Sequence, residues 1–450
     1  MAGLEQLLSL RDQLNAAIDQ VASSPAAKAL PALSDAGAPF PPLVAIDKNA
    51  ALATAIAKKM TALLAGPAHV SEIALSGHFP ACLRVAIEAH VSEAISEGET
   101  EPGAGLAVEE IAQASCVDPA KLARVLRLLA ANYVFSEVRP GVFTNNRCSN
   151  GLSTGKSIHT LKENSQDVYA GTDGRAALLA HCTEDCLKAS SFLADALLDP
   201  ETSHSSKSKD APITRAFKID GTVFDYWAQP ENKQYLTRFS HAMYAINQFM
   251  RGDESLTTGY PFRDMPRDAV LVDVGGGVGS VALHLLQHAP QLRFIVQDRP
   301  EVIGQQAPAV WKAKAAQALE SGQVELQSHD FFRPQPVKEA AVYLLRFVIH
   351  DWADDEVVAI LRPLAKGASS TSRLLLVEQS YRTLEPDPLV ISPLPYLADL
   401  QMLVANNAQE RTQEQYVALA ERAGWKFVKA WVAAVGGTDS GWRHYEFEKL

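Results

Sequence analysis

The sequence predicts an α/β fold, in which a doubly wound, Rossmann-like parallel sheet follows a mostly helical region with a winged-helix pattern. Three observations support this prediction. From residue 268 onward, apolar strand segments alternate with helical segments, and such alternation is typical of a parallel sheet covered by helices on both faces. The first of these strands breaks into a glycine-rich loop within residues 271–280. Residues 117–146 combine one helix with two short strands.

The N-terminal region is predicted to begin with an amphipathic helix, because apolar residues recur on one side of it. These residues are Leu4, Leu7, Leu8, Leu14 and Ile18. Charged residues interrupt the same stretch, which argues against a signal peptide. A Pro/Ala/Ser-rich linker or arm is expected over residues 23–42.

The winged-helix pattern has two possible functions. Asp118 and Pro119 open its helix, and a Pro140-Gly141 turn joins its two strands. The pattern could bind DNA, or it could be a scaffold for packing and dimerisation. The chain has 41 basic against 52 acidic residues and a net charge of -11, which repels phosphate backbones. We therefore expect the scaffold and no nucleic-acid partner.

The cysteine content and the lengths of the apolar stretches indicate the cellular compartment. Five scattered cysteines suit a reducing environment, and no window reaches the roughly 18 apolar residues that a membrane span needs. The sequence thus predicts a cytoplasmic protein with no membrane partner. Cys182 and Cys186 lie beside His181, but their spacing is not that of zinc sites. We expect ordinary thiols on one helix face there and no metal.

The predicted domains are residues 1–155, a helical arm with the winged-helix dimerisation domain, and residues 156–450, the cofactor-binding catalytic domain. The first part of the second domain, residues 156–265, is predicted to be a helical acceptor-pocket segment. Phe239, Met243 and Met250 recur there at helical spacing. Core packing and the lining of a pocket for a flat organic molecule are equally good interpretations of this stripe.

The glycine loop LVDVGGGVGS predicts a cofactor site, since glycines allow a tight turn and a close approach to a ligand. Gly275, Gly277 and Gly279 are followed by Ser280, where the dinucleotide fingerprint requires its third glycine. The loop therefore departs from nicotinamide enzymes and matches the G-x-G-x-G of methyl-donor sites better.

Acids and a histidine close five successive predicted strands, so they are expected at one edge of the sheet, where ligands bind. They are Asp273, Asp298, Asp330, His350 and Glu378. Asp298 suits ribose hydroxyls in either class of cofactor. Asp330 with Phe331 favours an adenosine cofactor without a second nucleotide, although Asp330 could also only cap a helix.

His350 is the candidate for chemistry, because an imidazole can take a proton from a phenol or an acidic enol near neutral pH. A structural or exposed histidine is the alternative. Glu378 or Glu410 could hydrogen-bond its other ring nitrogen and fix the tautomer.

With these motifs in view, the chain resembles the plant caffeate-type and fungal S-adenosylmethionine-dependent O-methyltransferases of small aromatic molecules. The resemblance covers nearly the whole length, including LVDVGGGVGS, IVQDRPEVI, LLRFVIHDWADDE, LLLVEQ and ERTQEQYVALAERAGW. It implies that the methyl donor contacts Gly275, Gly276, Asp298, Asp330, Phe331 and Arg346. It also implies that His350 is the general base, that Glu378 and Glu410 hold it, and that the chain forms a homodimer through its N-terminal domain.

Two departures limit this resemblance. The loop before Glu410 reads NNAQ, where many relatives carry a glycine and a lysine. Phe239, Met243 and Met250 match only the general character of the acceptor pocket, so substrate identity does not transfer.

The predicted function is S-adenosyl-L-methionine-dependent O-methylation of a hydroxyl on a small phenolic or polyketide-like secondary metabolite. One alternative keeps the fold and the bound sulfonium but catalyses pericyclisation or dehydration without methyl transfer. A DNA-binding or regulatory protein built on the winged helix is a third hypothesis, which the charge disfavours.

Overall fold

The computed structural model describes residues 2–37, 47–165, 168–379, 392–435 and 438–450. The second half of the predicted linker, from residue 38, lies outside them. Contacts divide the chain into two compact units. Of the described residues, the first unit contains those up to Leu187, Thr237–Ala245 and a segment ending at Tyr396, and the second contains Lys188–Leu236, those from Ile246 to Gln379, and those from Leu397 onward. The predicted division after residue 155 stays a prediction.

The first unit is mainly helical. Its helices are Ala2–Ser23, Lys48–Ala65, Pro67–Leu75, His78–Glu88, Val91–Gly98, Val108–Ser115, Pro119–Ala131, Ile158–Glu163 and Arg175–His181. The predicted winged helix is present: strands β1 (Leu106–Ala107), β2 (Phe135–Arg139) and β3 (Val142–Asn145) form an antiparallel sheet in the order β1-β3-β2. Asp118 caps the helix as predicted, since its Oδ1 accepts the Lys121 N–H at 2.9 Å.

The apolar face predicted for the first helix is only partly right. Leu4, Leu8 and Ile18 are exposed, whereas Leu10 and Ala17 are buried against Ile56 of the next helix. The buried stripe is therefore rotated relative to the predicted one. The error has a simple cause: leucines occupy more than one face of this helix, so periodicity alone does not select the face that packs.

The second unit contains a seven-stranded sheet. Its parallel strands are β4 (Val270–Val274), β5 (Arg293–Asp298), β6 (Val324–Ser328), β7 (Val342–Arg346) and β8 (Arg373–Gln379). The order is β6-β5-β4-β7-β8-β10-β9, where β9 (Trp425–Val435) and β10 (Thr438–Lys449) are antiparallel. The five parallel strands confirm the predicted alternation. The C-terminal pair was missed, because only helices were expected after β8.

Helices cover both faces of this sheet, which explains its continuous apolar strands. In β8, Leu374 and Leu376 belong to one core, and Leu375 and Val377 belong to the other. The helices of this unit are Leu187–Ser190 (with Leu187 still counted in the first unit), Leu193–Leu198, Pro212–Phe217, Val223–Trp227, Gly252–Thr258, Ser280–His288, Ala307–Glu320, Asp354–Gly367 and Gln413–Arg422. The helix Leu394–Asn406 begins in the first unit and belongs to the second from Leu397. The helix Lys233–Phe249 contributes residues to both units. Among the described residues, no helix is long and apolar enough to cross a membrane.

Candidate active site

The glycine loop directly follows β4, and its backbone needs glycine. Gly275, Gly277 and Gly279 have φ angles of 70°, 59° and 89°, which residues with a Cβ adopt only with strain. A Cβ on Gly276 would lie 2.6 Å from the Asp273 carboxyl group. The loop is thus shaped so that its main chain, rather than side chains, faces a ligand.

Asp298, at the end of β5, holds this loop. Its Oδ2 accepts the Gly277 N–H at 2.8 Å, and its Oδ1 accepts the Arg299 N–H at 2.7 Å. Burial raises the pKa of Asp298, although both N–H groups favour its charged form. A carboxylate has about four acceptor positions, so the two remaining positions can still receive ribose hydroxyls.

Asp330 and Phe331 follow β6. Asp330 is exposed, its Oδ1 accepts the Phe332 N–H at 3.0 Å, and its other oxygen lies 3.5 Å from Arg333. In the described residues no helix begins at Asp330, so its contacts stabilise the turn after β6, and the helix cap that the sequence left open is not formed. The Phe331 ring packs edge-on against Trp352 at 5.6 Å between centroids. A Cβ on Gly275 would lie 3.6 Å from the Phe331 ring, so this aromatic surface adjoins the glycine loop.

Arg346 ends β7 and carries a buried guanidinium group. Its Nη2 donates to Asn247, and the group lies 5.0 Å from the centre of the Trp442 ring. Burial lowers the pKa of Arg346, which the nearby acids oppose. Burial also raises the pKa of Asp273 to about 7.

Arg346 and Asp273 leave polar atoms that fit an amino-acid ligand. In the described part of the chain, Arg346 Nε and Asp273 Oδ2 are buried without a hydrogen-bond partner. Such atoms cost free energy unless something satisfies them. An unused donor and an unused acceptor beside a glycine loop match the carboxylate and ammonium groups of an S-adenosylmethionine-like cofactor.

His350 lies in a short 3-10 turn, Ile349–Asp351, just after β7. Its ring stacks on Phe347 with 4.8 Å between centroids. Its Nδ1 lies 3.0 Å from Glu410 Oε1. Burial alone would lower the pKa of His350, but the carboxylates of Glu410, Asp351 and Glu378 raise it to about 10. Because Glu410 favours a proton on Nδ1, Nε2 is the nitrogen that can exchange a proton with a ligand.

Glu378, in β8, has a different position from Glu410. It is fully buried, and its Oε1 accepts the N–H groups of Val348 at 3.3 Å and Ile349 at 3.2 Å. Burial raises its pKa to about 7. Of the two glutamates that the sequence proposed for the ring nitrogen, only Glu410 contacts it. Glu378 instead supports the backbone of the turn that carries His350.

Arg411 is a residue of this site that sequence reasoning missed. Its buried guanidinium donates to the Ile349 carbonyl at 2.9 Å, to the Trp352 carbonyl at 2.7 Å and to Asp354 at 2.8 Å. It therefore ties the residue after Glu410 to both ends of the His350 turn. The only sequence signal was its position in the ERT segment, because a loop arginine is ordinarily solvated.

The predicted acceptor residues are half-buried, and they fall in different units. Met250 packs against the core of the second unit, and its carbonyl accepts the Trp442 indole N–H at 3.1 Å. Phe239 and Met243 belong to the first unit, where Phe239 packs edge-on against His181 at 5.6 Å. Contact of any of the three with an acceptor stays a prediction. In the described residues, no group of three or more His, Cys, Asp or Glu side chains is arranged to hold a metal ion.

The seven-stranded Rossmann-like sheet, its glycine loop and the carboxylate-paired His350 together fit a methyltransferase fold. Comparison with known proteins agrees with this interpretation of the fold and the site. The model of the O-methyltransferase domain matches residues 197–426, and that of the O-methyltransferase dimerisation domain matches residues 71–155. The chain is similar to 4-O-methyltransferase 1 of Phanerochaete chrysosporium, with 34% identity over 97% of this chain and 96% of that protein.

Two solved structures share the fold. OxaC in complex with SAH and oxaline has a TM-score of 0.74 at 22% identity and covers 100% of both chains. A structure described as a pericyclic reaction enzyme has a TM-score of 0.67 at 20% identity and covers 89% of this chain and 94% of that one. The chain belongs to the O-methyltransferase family, among relatives of secondary-metabolite type, and its methyl donor is S-adenosyl-L-methionine.

Proposed function

We propose that this O-methyltransferase methylates a hydroxyl of a small phenolic or polyketide-like secondary metabolite, with His350 as the general base. The observation that carries this proposal is the 3.0 Å contact between His350 Nδ1 and Glu410. A carboxylate on Nδ1 fixes the tautomer and stabilises the imidazolium that forms when Nε2 takes a proton. General-base catalysis of this kind contributes about 10²- to 10⁴-fold.

The pKa of His350 favours a phenol or an acidic enol as the acceptor. A phenol ionises near pH 10, and the pKa of His350 is about 10. Proton transfer between the two is therefore nearly balanced in free energy. An aliphatic hydroxyl, which like water ionises several pKa units higher, would be poorly matched. Since the free enzyme holds an imidazolium at neutral pH, kcat/KM is expected to rise with pH below 10.

The donor would be held by Gly275, Gly276, Asp298, Asp330, Phe331 and Arg346. When bound, its sulfonium group supplies the electrophilic methyl. Asp298 has acceptor positions for ribose hydroxyls, Phe331 offers an apolar ring surface, and Arg346 offers an unused donor. Asp330 is exposed enough to receive the adenine amino group. These roles predict that Asp298→Asn weakens donor binding in calorimetry more than Asp330→Asn does, because Asp298 also holds the loop.

One assay tests the reaction. The protein is incubated with methyl-labelled S-adenosylmethionine and a panel of phenolic and polyketide acceptors, and products are analysed by mass spectrometry. We expect a product that gains one labelled methyl group. His350→Ala should lose at least about 10²-fold in rate, whereas His159→Ala, on an exposed side chain, should not. Full activity of the His350 variant would rule out the base role.

The same assay distinguishes methyl transfer from the alternative reaction. An acceptor that is rearranged or dehydrated without gaining the label would identify a pericyclase or dehydratase that uses the bound cofactor only for its charge. The solved relative described as a pericyclic reaction enzyme has this fold, so the outcome is chemically reasonable. The retained pairing of His350 with Glu410 favours methyl transfer.

We also propose that the chain is a homodimer through the region matched by the dimerisation domain, residues 71–155. Apolar side chains of the helix Pro67–Leu75, including Ile73 and Leu75, are exposed in the isolated chain. A second copy would cover such a surface. Light scattering coupled to size exclusion measures the mass directly, and a monomer at micromolar concentration would contradict this proposal.

A further inference from the structure

A thiol, an imidazole and a carboxylate lie next to one another in the first unit, where the π-helical turn Cys182–Cys186 directly follows His181. The Cys186 sulfur lies 3.4 Å from His181 Nε2, and His181 Nδ1 lies 2.8 Å from Asp185 Oδ2. Asp185 Oδ1 in turn accepts a hydrogen bond from Arg238 at 2.8 Å. Single π-helical turns within α-helices occur frequently at functional sites.

The order of these groups is that of an activated thiol. Asp185 is buried and favours a proton on His181 Nδ1, which leaves Nε2 as the acceptor for the Cys186 S–H. A nucleophile hydrogen-bonded to a base that a third group orients is the general pattern of activated nucleophiles. None of these residues takes part in the methyl-transfer site described above.

A second thiol adjoins the first. Cys182 is exposed, whereas Cys186 is buried. A side-chain hydrogen bond with Cys186 lowers the pKa of Cys182 to about 7, although partial desolvation of the sulfur raises it, and a proton on His181 lowers it further. Cys186 has one S–H proton, which can stabilise the Cys182 thiolate before oxidation and can pass to His181 only afterwards. The pair therefore has one sulfur that a solute can reach and one that is held beside a base, which is the arrangement of an attacking and a resolving cysteine.

We propose that Cys182 and Cys186 form a peroxide-reactive dithiol, a modification site separate from the methyl-transfer chemistry. The Cys182 thiolate attacks one oxygen of hydrogen peroxide, the O–O bond breaks, and the departing hydroxide takes a proton to become water. This leaves a sulfenic acid on Cys182. Cys186 then gives its proton to His181 and attacks the Cys182 sulfur, the S–O bond breaks, and the hydroxide leaves with that proton as water. Two thiols have lost two electrons to one peroxide.

The expected rate follows from the thiolate fraction. At pH 7 a thiol that titrates near 7 is half ionised, whereas one at the ordinary value of 9.0 is about 1% ionised. The fiftyfold gain in thiolate is partly offset, because nucleophilicity falls with pKa by a Brønsted slope of about 0.4–0.5. Cys182 is therefore expected to react roughly fivefold faster than an ordinary thiol.

The experiment uses the reduced full-length protein, treated with hydrogen peroxide, quenched with an alkylating reagent and mapped by peptide mass spectrometry. Cys116 and Cys148 are exposed in the same chain and serve as internal comparators. We expect a Cys182–Cys186 disulfide to form while both comparators remain alkylated. Cys186→Ser should accumulate a sulfenic acid on Cys182 that dimedone traps.

His181 is a positioning residue here, and its variant has a specific readout. His181→Asn should move the midpoint of the pH dependence of Cys182 oxidation to higher pH without abolishing the reaction. Cys148→Ser should change neither this midpoint nor the formation of the disulfide. Oxidation of Cys182 no faster than Cys116 and Cys148, or a sulfenic acid in the wild-type chain that never yields the disulfide, would overturn the proposal. Since none of these measurements requires methyl transfer, they are independent of the proposed acceptor.

Discussion

Replacing Glu410 by Gln is expected to lower the pKa of His350 and so reveal what the carboxylate does. The pKa of His350 rises from 6.5 to about 10 although burial lowers it. Three carboxylates produce the rise, and Glu410 is the largest contributor among them. Its contribution must therefore exceed a third of about 3.5 pKa units, which is at least about one unit, or roughly 1.5 kcal/mol in favour of the charged imidazole.

The direct assay is NMR of the protein labelled at histidine Cε1, followed against pH. The chain has 12 histidines, and His350→Gln identifies the signal of interest. We expect the midpoint of His350 near pH 10 in the wild type and near 9 or below in Glu410→Gln. The control is Glu414→Gln, the same chemical change on an exposed residue, which should leave the midpoint in place. An unchanged midpoint in Glu410→Gln would refute the electrostatic argument.

The same variant should change the pH dependence of stability. The pKa of His350 in the folded protein lies above its unfolded value of about 6.5. The stabilisation from His350 is therefore fully present below pH 6.5 and is lost as the pH rises through about 10. Denaturant unfolding of the wild type should show this loss, and in Glu410→Gln it should be smaller and end at lower pH. If the free energy of unfolding changed equally with pH in the two proteins, the link between the pKa of His350 and stability would be contradicted.

Three further predictions concern other parts of the molecule. Arg411→Lys keeps a charge but loses the planar guanidinium that reaches two carbonyls and Asp354. The methylation rate of this variant should fall, whereas its affinity for the donor in calorimetry should stay the same. An unchanged rate would show that the guanidinium does not position His350. Gly276→Ala places a Cβ 2.6 Å from the Asp273 carboxyl group, and this overpacking should lower the free energy of unfolding by about 1–3 kcal/mol in denaturant titration. Gly304→Ala, whose Cβ meets nothing within 4 Å, should not, and equal stability of the two variants would contradict the close packing at Gly276. Ile73→Asp should yield a monomer in light scattering, because it places a charge on the proposed interface. Leu198→Asp should not, since this side chain is even more exposed but lies outside the dimerisation match. A dimeric Ile73 variant would contradict an interface at this helix.

The parallel part of the fold could be predicted because buried parallel strands leave a strong pattern. Their residues are apolar on both faces, so β4, β7 and β8 stand out as apolar runs with a polar residue at or next to the end. The C-terminal pair β9 and β10 lacks this signal. Polar and charged residues such as Glu446 alternate with apolar ones there, and antiparallel strands of that kind are harder to distinguish from helix or loop.

Most residues of the candidate site could be predicted from the sequence, but the contacts between them could not. A strand end locates Glu378 at the correct edge, yet sequence cannot tell whether its oxygens contact an imidazole or backbone N–H groups. That depends on the backbone turn after β7, where Phe347 has a φ of 52°. Arg411 was missed because its burial arises from three acceptors that are distant in sequence, and a single sequence carries no record of such a convergence.

The Asp298 carboxylate accepts hydrogen bonds from the N–H groups of Gly277 and Arg299, so the protein itself already orders the glycine loop. Fixing the backbone costs roughly 1–2 kcal/mol per residue, and for this loop the loss occurs during folding rather than when the donor arrives. The contacts the loop offers would be to parts that the donor shares with its demethylated product. Both are therefore expected to bind with similar affinity, so accumulated product would compete for the site, and turnover in the cell would depend on how quickly that product is removed.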